Sequence, residues 1–235
     1  MEKNWKDIIL KLMAKAEDPA TSLDERNAIV DKITFLMAKH GIEEAMLEAG
    51  QAKPTYKLVD LSYRIPAPYA LAKAKILYHI GKAFGCESIV IDDHTRVRVF
   101  GFENDQERVF MLYGSLIIQM NNGLASAVKP KGVHGKTFNH SWIAGYAATV
   151  SQRVRDAYTR AQNEVRTESS GMDIVLMEKS VAVRNMFREA YPRTSKIGQS
   201  YATHAGAYAA GSTAGRNADI GQTRVGGTTR KSIGS

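Results

Sequence analysis

Apolar residues recur every three or four positions near the start of the chain, at Trp5, Ile8, Ile9, Leu12, Met13 and Ala16, and the run stops at Glu17-Asp18-Pro19. That spacing lays one apolar stripe along a helix, and the proline ends it. Ser22-Leu23-Asp24-Glu25 has the S-x-x-E form, in which hydroxyl and carboxylate each satisfy a free backbone N–H at the start of a second helix. Ile29, Val30, Ile33, Leu36 and Met37 form its inner face, and His40-Gly41-Ile42 predicts a glycine turn at its C-terminus. A short third helix over 43–49 then leads out through Gly50, so residues 1–50 read as a helical hairpin.

Past Thr55 the period changes. Leu58, Asp60 and Ser62 alternate with Val59, Leu61 and Tyr63, which predicts a strand ending at Pro66 and Pro68, or nearly as well a proline-bounded loop. A helix follows over 69–84, with Leu71, Ala74, Leu77, Tyr78 and Phe84 inward and Gly85 ending it. Ser88-Ile89-Val90-Ile91 and the run from Arg96 to Phe102 are β-branched, and the turn Asp92-Asp93-His94-Thr95 joins them as an antiparallel hairpin. Asn104 is the expected N-cap of a helix that turns Val109, Leu112, Tyr113, Leu116, Ile117 and Met120 toward that hairpin. Residues 121–137 read as a loop, from Gly123, Pro130, Gly132 and Gly135.

The longest helix carries Phe138, Trp142, Tyr146, Val150, Val154, Ala157, Ala161 and Val165 at intervals of three or four, with Arg153 and Arg160 on another side. A short strand over 173–177, able to join the hairpin, and a helix over 180–190 ended by Pro192 complete the middle. From Arg193 onward glycine rises and large apolar residues nearly vanish, so a packed core is not expected there. Residues 201–218 are alanine-rich enough for a transient helix, and order is expected only on a partner or on the body. The fold expected is therefore α+β: a helical hairpin at 1–50, a small α/β domain with the long helix at 55–192, and a flexible, basic, glycine-rich tail at 193–235.

Leu10-Lys11-Leu12-Met13-Ala14-Lys15-Ala16-Glu17-Asp18-Pro19 followed by Leu36-Met37-Ala38-Lys39-His40-Gly41-Ile42 resembles a phage and bacterial family known as domain of unknown function 2786. The later pairs Phe84-Gly85 with Cys86, Phe100-Gly101 before Asp105, and Trp142 with Gly145 resemble the C-terminal part that usually accompanies it. The resemblance implies a shared architecture and a phage or mobile-element setting. It carries no activity.

With 235 residues, 44% of them hydrophobic, the chain can bury a core, which excludes global disorder. Its apolar stretches, such as 115–120 and 173–177, fall far short of the roughly 20 residues that cross a bilayer. The N-terminus has no continuous apolar segment of the secretory kind, so the cytoplasm is the expected compartment, that of a bacterial host by the resemblance, and no membrane partner is expected. The lone Cys86 excludes an intramolecular disulfide and a zinc site built mainly of thiolates; following Phe84-Gly85, it reads as a small core residue.

The net charge of +8 is unevenly placed. Residues 1–50 hold seven Lys or Arg against ten Asp or Glu, a net −3, while 193–235 hold six against Asp219 alone, a net +5, leaving +6 for the middle. Such asymmetry suits a polyanion met by the C-terminal half, or else a solvated tail.

Motifs of chemistry are weak. Gly135-Lys136-Thr137 matches the end of a phosphate-binding loop, but the first glycine of that motif is replaced by Pro130, which has no N–H to offer a phosphate. His134 with His140, and Asp92-Asp93-His94, are polar clusters without metal-ligand spacing, so turn and cap roles read better, and no cofactor is implied. Asn139-His140-Ser141-Trp142-Ile143 lacks the nucleophile-elbow glycines, which leaves His140-Ser141 as a helix cap. Trp5 and Trp142 lie on apolar stripes and are expected in the core. The function expected is that of a non-enzymatic accessory protein binding nucleic acid, DNA or RNA, or a nucleoprotein assembly. Arg153, Arg160, Arg193, Lys196, Arg216, Arg224, Arg230 and Lys231 are the expected contacts. The alternatives are an assembly module whose acidic hairpin docks on a protein while the tail folds on a neighbouring subunit, and an enzyme whose polar pocket is assembled only in space.

Overall fold

The stripe expected along the longest helix is the axis of the fold: α5 (Gly135–Glu168) buries Phe138, Trp142, Tyr146, Val150, Val154, Ala157, Ala161 and Val165. A computed structural model of the chain describes residues 5–17, 23–49, 57–91, 94–168, 171–195 and 204–218. Before α5 come α1 (Trp5–Glu17), α2 (Leu23–Ala49), β1 (Leu58–Arg64), α3 (Ala70–Ala83), β2 (Glu87–Ile91), β3 (Arg96–Phe102) and α4 (Glu103–Ser126). After it come α6 (Met172–Ala190) and α7 (Ala205–Asn217), and the whole is an α+β fold, as expected.

The strands form one antiparallel sheet in the order β1-β3-β2, so the expected hairpin is joined by β1 rather than by a strand from 173–177. Val97 and Val99 face the α3 and α4 side, where the Tyr63 ring stacks on Phe110 with centroids 3.4 Å apart. On the other face Phe100 meets Phe187 at 5.4 Å and Tyr191 at 5.9 Å, both from the α6 end, while Lys179 lies 4.7 Å over the Phe102 ring. Alternation along β3 therefore feeds two helical layers at once. Gly85 closes α3 as expected: its positive φ lets Cys86 N donate to Gly81 O at 2.8 Å, the signature of a left-handed helix stop.

Several expected boundaries are corrected. α2 does not stop at Gly41 but runs on to Ala49, so 43–49 is its continuation and not a separate helix. Gly41 is needed for a different reason: a Cβ there would lie 3.0 Å from Arg108 Nη1. α4 begins at Glu103, which puts Asn104 inside the first turn, and it extends to Ser126, so the loop shrinks to 127–134. Residues 173–177 are helical; Met172 and Val183 bury on the inner side of α6 while Ile174, Met177 and Val181 stay exposed, a 3.6-residue period that a five-residue apolar run could not reveal. Ile9 and Met13 of α1 pack in the core against α2, but Ile8 is exposed. Ser22 and the Trp5 side chain lie outside what is described.

The flexible tail is corrected over Ala205–Asn217, which is helical and docks along α5. This order is found against the body, one of the two settings in which it was expected. Backbone meets backbone here: a methyl added at Gly145 would overlap the Tyr208 carbonyl, one at Gly211 the Trp142 carbonyl, and one at Gly215 would fall 2.8 Å from Tyr146 O. Large apolar side chains are unnecessary where the helix axes come this close.

Candidate functional site

A cluster of charges lies where α2, α4 and α6 meet. Arg108, only 2% exposed, donates to Asp105 Oδ1 at 2.9 Å and to Glu44, and Lys179 Nζ donates to Asp105 Oδ2 at 2.7 Å. Asn104 Nδ2 donates to the same Glu44 carboxylate at 3.1 Å. Two cations against two carboxylates leave the cluster neutral, as a buried ionic group must be. A cavity of about 190 Å³ beside it is lined by Gly41, Phe84, Phe102, Asp105, Tyr158 and Lys179, among others. It is below the usual range for small-molecule sites, roughly 300–1,000 Å³.

Cys86 is buried with its thiol pushed well above the ordinary range, first by burial and then by the Asp105 carboxylate, and its Sγ would sit 2.6 Å from a Cβ at Gly101. A protonated thiol without access is a packing group. Ser141 is corrected from a cap to an interior residue of α5, where its Oγ accepts from His204 N at 3.1 Å. His140 meets the Tyr69 ring edge-on at 5.0 Å, and no group of three His, Cys, Asp or Glu side chains converges among the described residues. Gly135-Lys136-Thr137 opens α5 after a loop and a helix, not after the strand a phosphate loop requires.

The expected basic contacts have different surroundings. Arg153 Nη1 donates to Gly215 O and Arg216 O, each at 2.8 Å, so it caps the carbonyl end of α7. Arg216 is exposed beside it, with Nη2 on Thr213 Oγ1 at 2.8 Å, and Arg160 is exposed two turns further along α5. Arg193 is exposed just after Tyr191, on the sheet side of the molecule. Lys196, Arg224, Arg230 and Lys231 lie outside the described residues.

Folding reveals a charge pattern that the linear tally conceals. No Asp or Glu occurs in 61–86, 108–155 or 190–218. Those stretches hold α3, most of α4, the 127–134 loop, the first part of α5 and all of α7, and they pack together. Asn139 Nδ2 donates to Tyr69 OH at 2.7 Å, Tyr146 OH donates to Leu116 O at 2.9 Å, and α7 lies on α5. The result is one pole built from acid-free segments, with Lys129, Lys131, Lys136, Arg155 and Arg216 exposed on it. His79 registers the local field: burial, then Arg155 and Lys75, hold its pKa below the ordinary histidine value.

The chain matches no family model, no curated protein and no solved structure.

Proposed function

We propose that this protein is a non-enzymatic accessory factor that binds nucleic acid, or a nucleoprotein assembly, through its basic C-terminal half. The acid-free pole carries the reading. A phosphate backbone approaching it would meet several exposed cations drawn from segments without Asp or Glu, with Asp156 at their margin beside Arg155, and each phosphate neutralised releases condensed counterions. The segment 219–235, which continues the chain after α7, adds Arg224, Arg230 and Lys231 against Asp219. The buried Cys86 and the engaged Ser141 support a binding role over nucleophilic catalysis. The resemblance of 10–19 and 36–42 to the phage and bacterial family adds a phage or mobile-element setting.

The test is fluorescence anisotropy of the full chain with labelled duplex DNA over a salt series. Binding should weaken linearly in log salt, with a slope of about −0.9 per phosphate contact, and K129S/K131S/K136S should flatten that slope. Absence of binding at low salt would overturn the reading.

A second reading, a protein-assembly module, is favoured by one observation: Ile174, Met177 and Val181 form an exposed apolar stripe on α6. Light scattering of the wild type and of M177K distinguishes it, since only an assembly held through that stripe would dissociate.

A further inference from the structure

We infer that the outer edge of β1 is a dimer interface, where a second copy of this chain adds its own β1 antiparallel and the two sheets join into one. This surface is separate from the acid-free pole and does not depend on the nucleic-acid reading.

Position in the sheet leaves that edge open. In the order β1-β3-β2, β1 has a neighbouring strand on one side only. Ile65 N donates to Thr95 O at 2.7 Å and Glu103 N to Lys57 O at 2.9 Å, in register with the strand pairs between them. The odd-numbered residues of β1 therefore turn their N–H and C=O groups toward β3. Leu58, Asp60, Ser62 and Arg64 turn theirs the other way, where no backbone group among the described residues meets them. Gln106 braces the strand from within by donating Nε2 to Val59 O at 2.9 Å. A row of free donors and acceptors on a braced strand is a template for another strand. Pairing with β3 is continuous from Leu58 to Arg64, and proline enters only at Pro66, beyond the end.

Charge selects the partner and the register. A two-fold dimer pairs the strand antiparallel with itself, and outward groups must meet outward groups, so even-numbered residues stand opposite even-numbered ones. Centring on Asp60 would oppose two carboxylates, and centring on Arg64 two guanidinium groups. Centring on Leu61 or Tyr63 matches no charge with its opposite. Centring on Ser62 sets Asp60 opposite Arg64 of the second copy, and Arg64 opposite Asp60 of the second copy. Both groups can take part: among the described residues Asp60 is engaged only through Oδ2, by Arg98, and Arg64 is exposed. On the other face the same register lays Leu61, which is 41% exposed, against Tyr63 of the second copy, beside the ring that stacks on Phe110. Joining the edges thus covers an apolar side chain and matches both charges at once.

The experiment is sedimentation velocity of the full chain over a concentration series, with hydrogen exchange of the β1 amides. The wild type should sediment as a reversible dimer. Ser62→Pro removes an outward N–H at the two-fold axis and none of the bonds to β3, so it should be monomeric with a melting temperature close to that of the wild type. R64E and D60K should each weaken the dimer about tenfold or more, and an equimolar mixture of the two should restore it, because both crossed pairs are then attractive. A merely structural role for the two side chains would not be rescued by mixing. A wild type that stays monomeric throughout would overturn the inference; slow exchange at Asp60, Ser62 and Arg64 in that monomer would give the edge to another segment of the same chain. A dimer that survives Ser62→Pro and dissociates in M177K would place the assembly on α6 and overturn it as well.

Discussion

Gly41 and Arg108 touch: the guanidinium lies so close beneath α2 that a Cβ on residue 41 would sit 3.0 Å from Nη1 and 3.2 Å from Cζ. Arg108 cannot easily retreat, because Asp105 and Glu44 hold it. Gly41→Ala should therefore destabilise by about 1 kcal/mol, although alanine inside a helix ordinarily stabilises by a similar amount. In an Arg108→Met background the same change should become neutral or stabilising. Urea denaturation of the four proteins checks this, and a Gly41→Ala gain in the wild-type background would show that Arg108 yields.

Asp105 accepts from both Arg108 and Lys179, so Asp105→Ala would leave two cations with one carboxylate in a largely buried site. A loss of about 3–5 kcal/mol is expected. Asp105→Asn should cost less, since it keeps an acceptor but removes the charge. Equal losses in the two variants would assign the whole cost to the lost charge.

Gly211→Ala improves the intrinsic helicity of α7 yet collides with the Trp142 carbonyl. Docking should lose, so hydrogen exchange over 205–217 should rise sharply while the amides of β3 keep their protection. Unchanged protection in α7 would mean that the two helices are not in backbone contact.

His79 has a folded pKa below its ordinary value through burial and then through Arg155 and Lys75, so the folded protein binds fewer protons than the unfolded chain. Its contribution is present above the unfolded pKa of about 6.5 and is lost as pH falls through the folded value. The melting temperature should fall from about pH 8 to about pH 5, and less steeply in His79→Gln. Parallel curves for the two proteins would remove His79 as the cause.

Cys86 shows the opposite sign. Burial, with Asp105 adding, raises its pKa, so thiolate forms readily only on unfolding, and stability should decline as pH rises past about 8.5. Labelling by a disulfide reagent should follow the global unfolding rate across a denaturant series. Fast labelling under native conditions would contradict a buried, protonated thiol.

Local rules were enough wherever a segment's own periodicity met one neighbour. The apolar spacing from Phe138 to Val165 specified α5, the β-branched runs around 92–95 specified the β2 and β3 hairpin, and Gly85 specified the end of α3, because each signal is carried by adjacent residues. Tertiary structure decided the rest, since distant groups set the cost of each local choice. Gly41 looks like a helix stop until Arg108 is found against it, and Gly211 and Gly215 of α7 look like disorder until α5 lies close enough to exclude any side chain there. The same holds for charge. Composition locates a basic C-terminal half, but only strand register sets Arg64 opposite Arg96, and only helix packing gathers the acid-free segments at one pole, because Coulomb energy depends on distance in space and not on position in the chain.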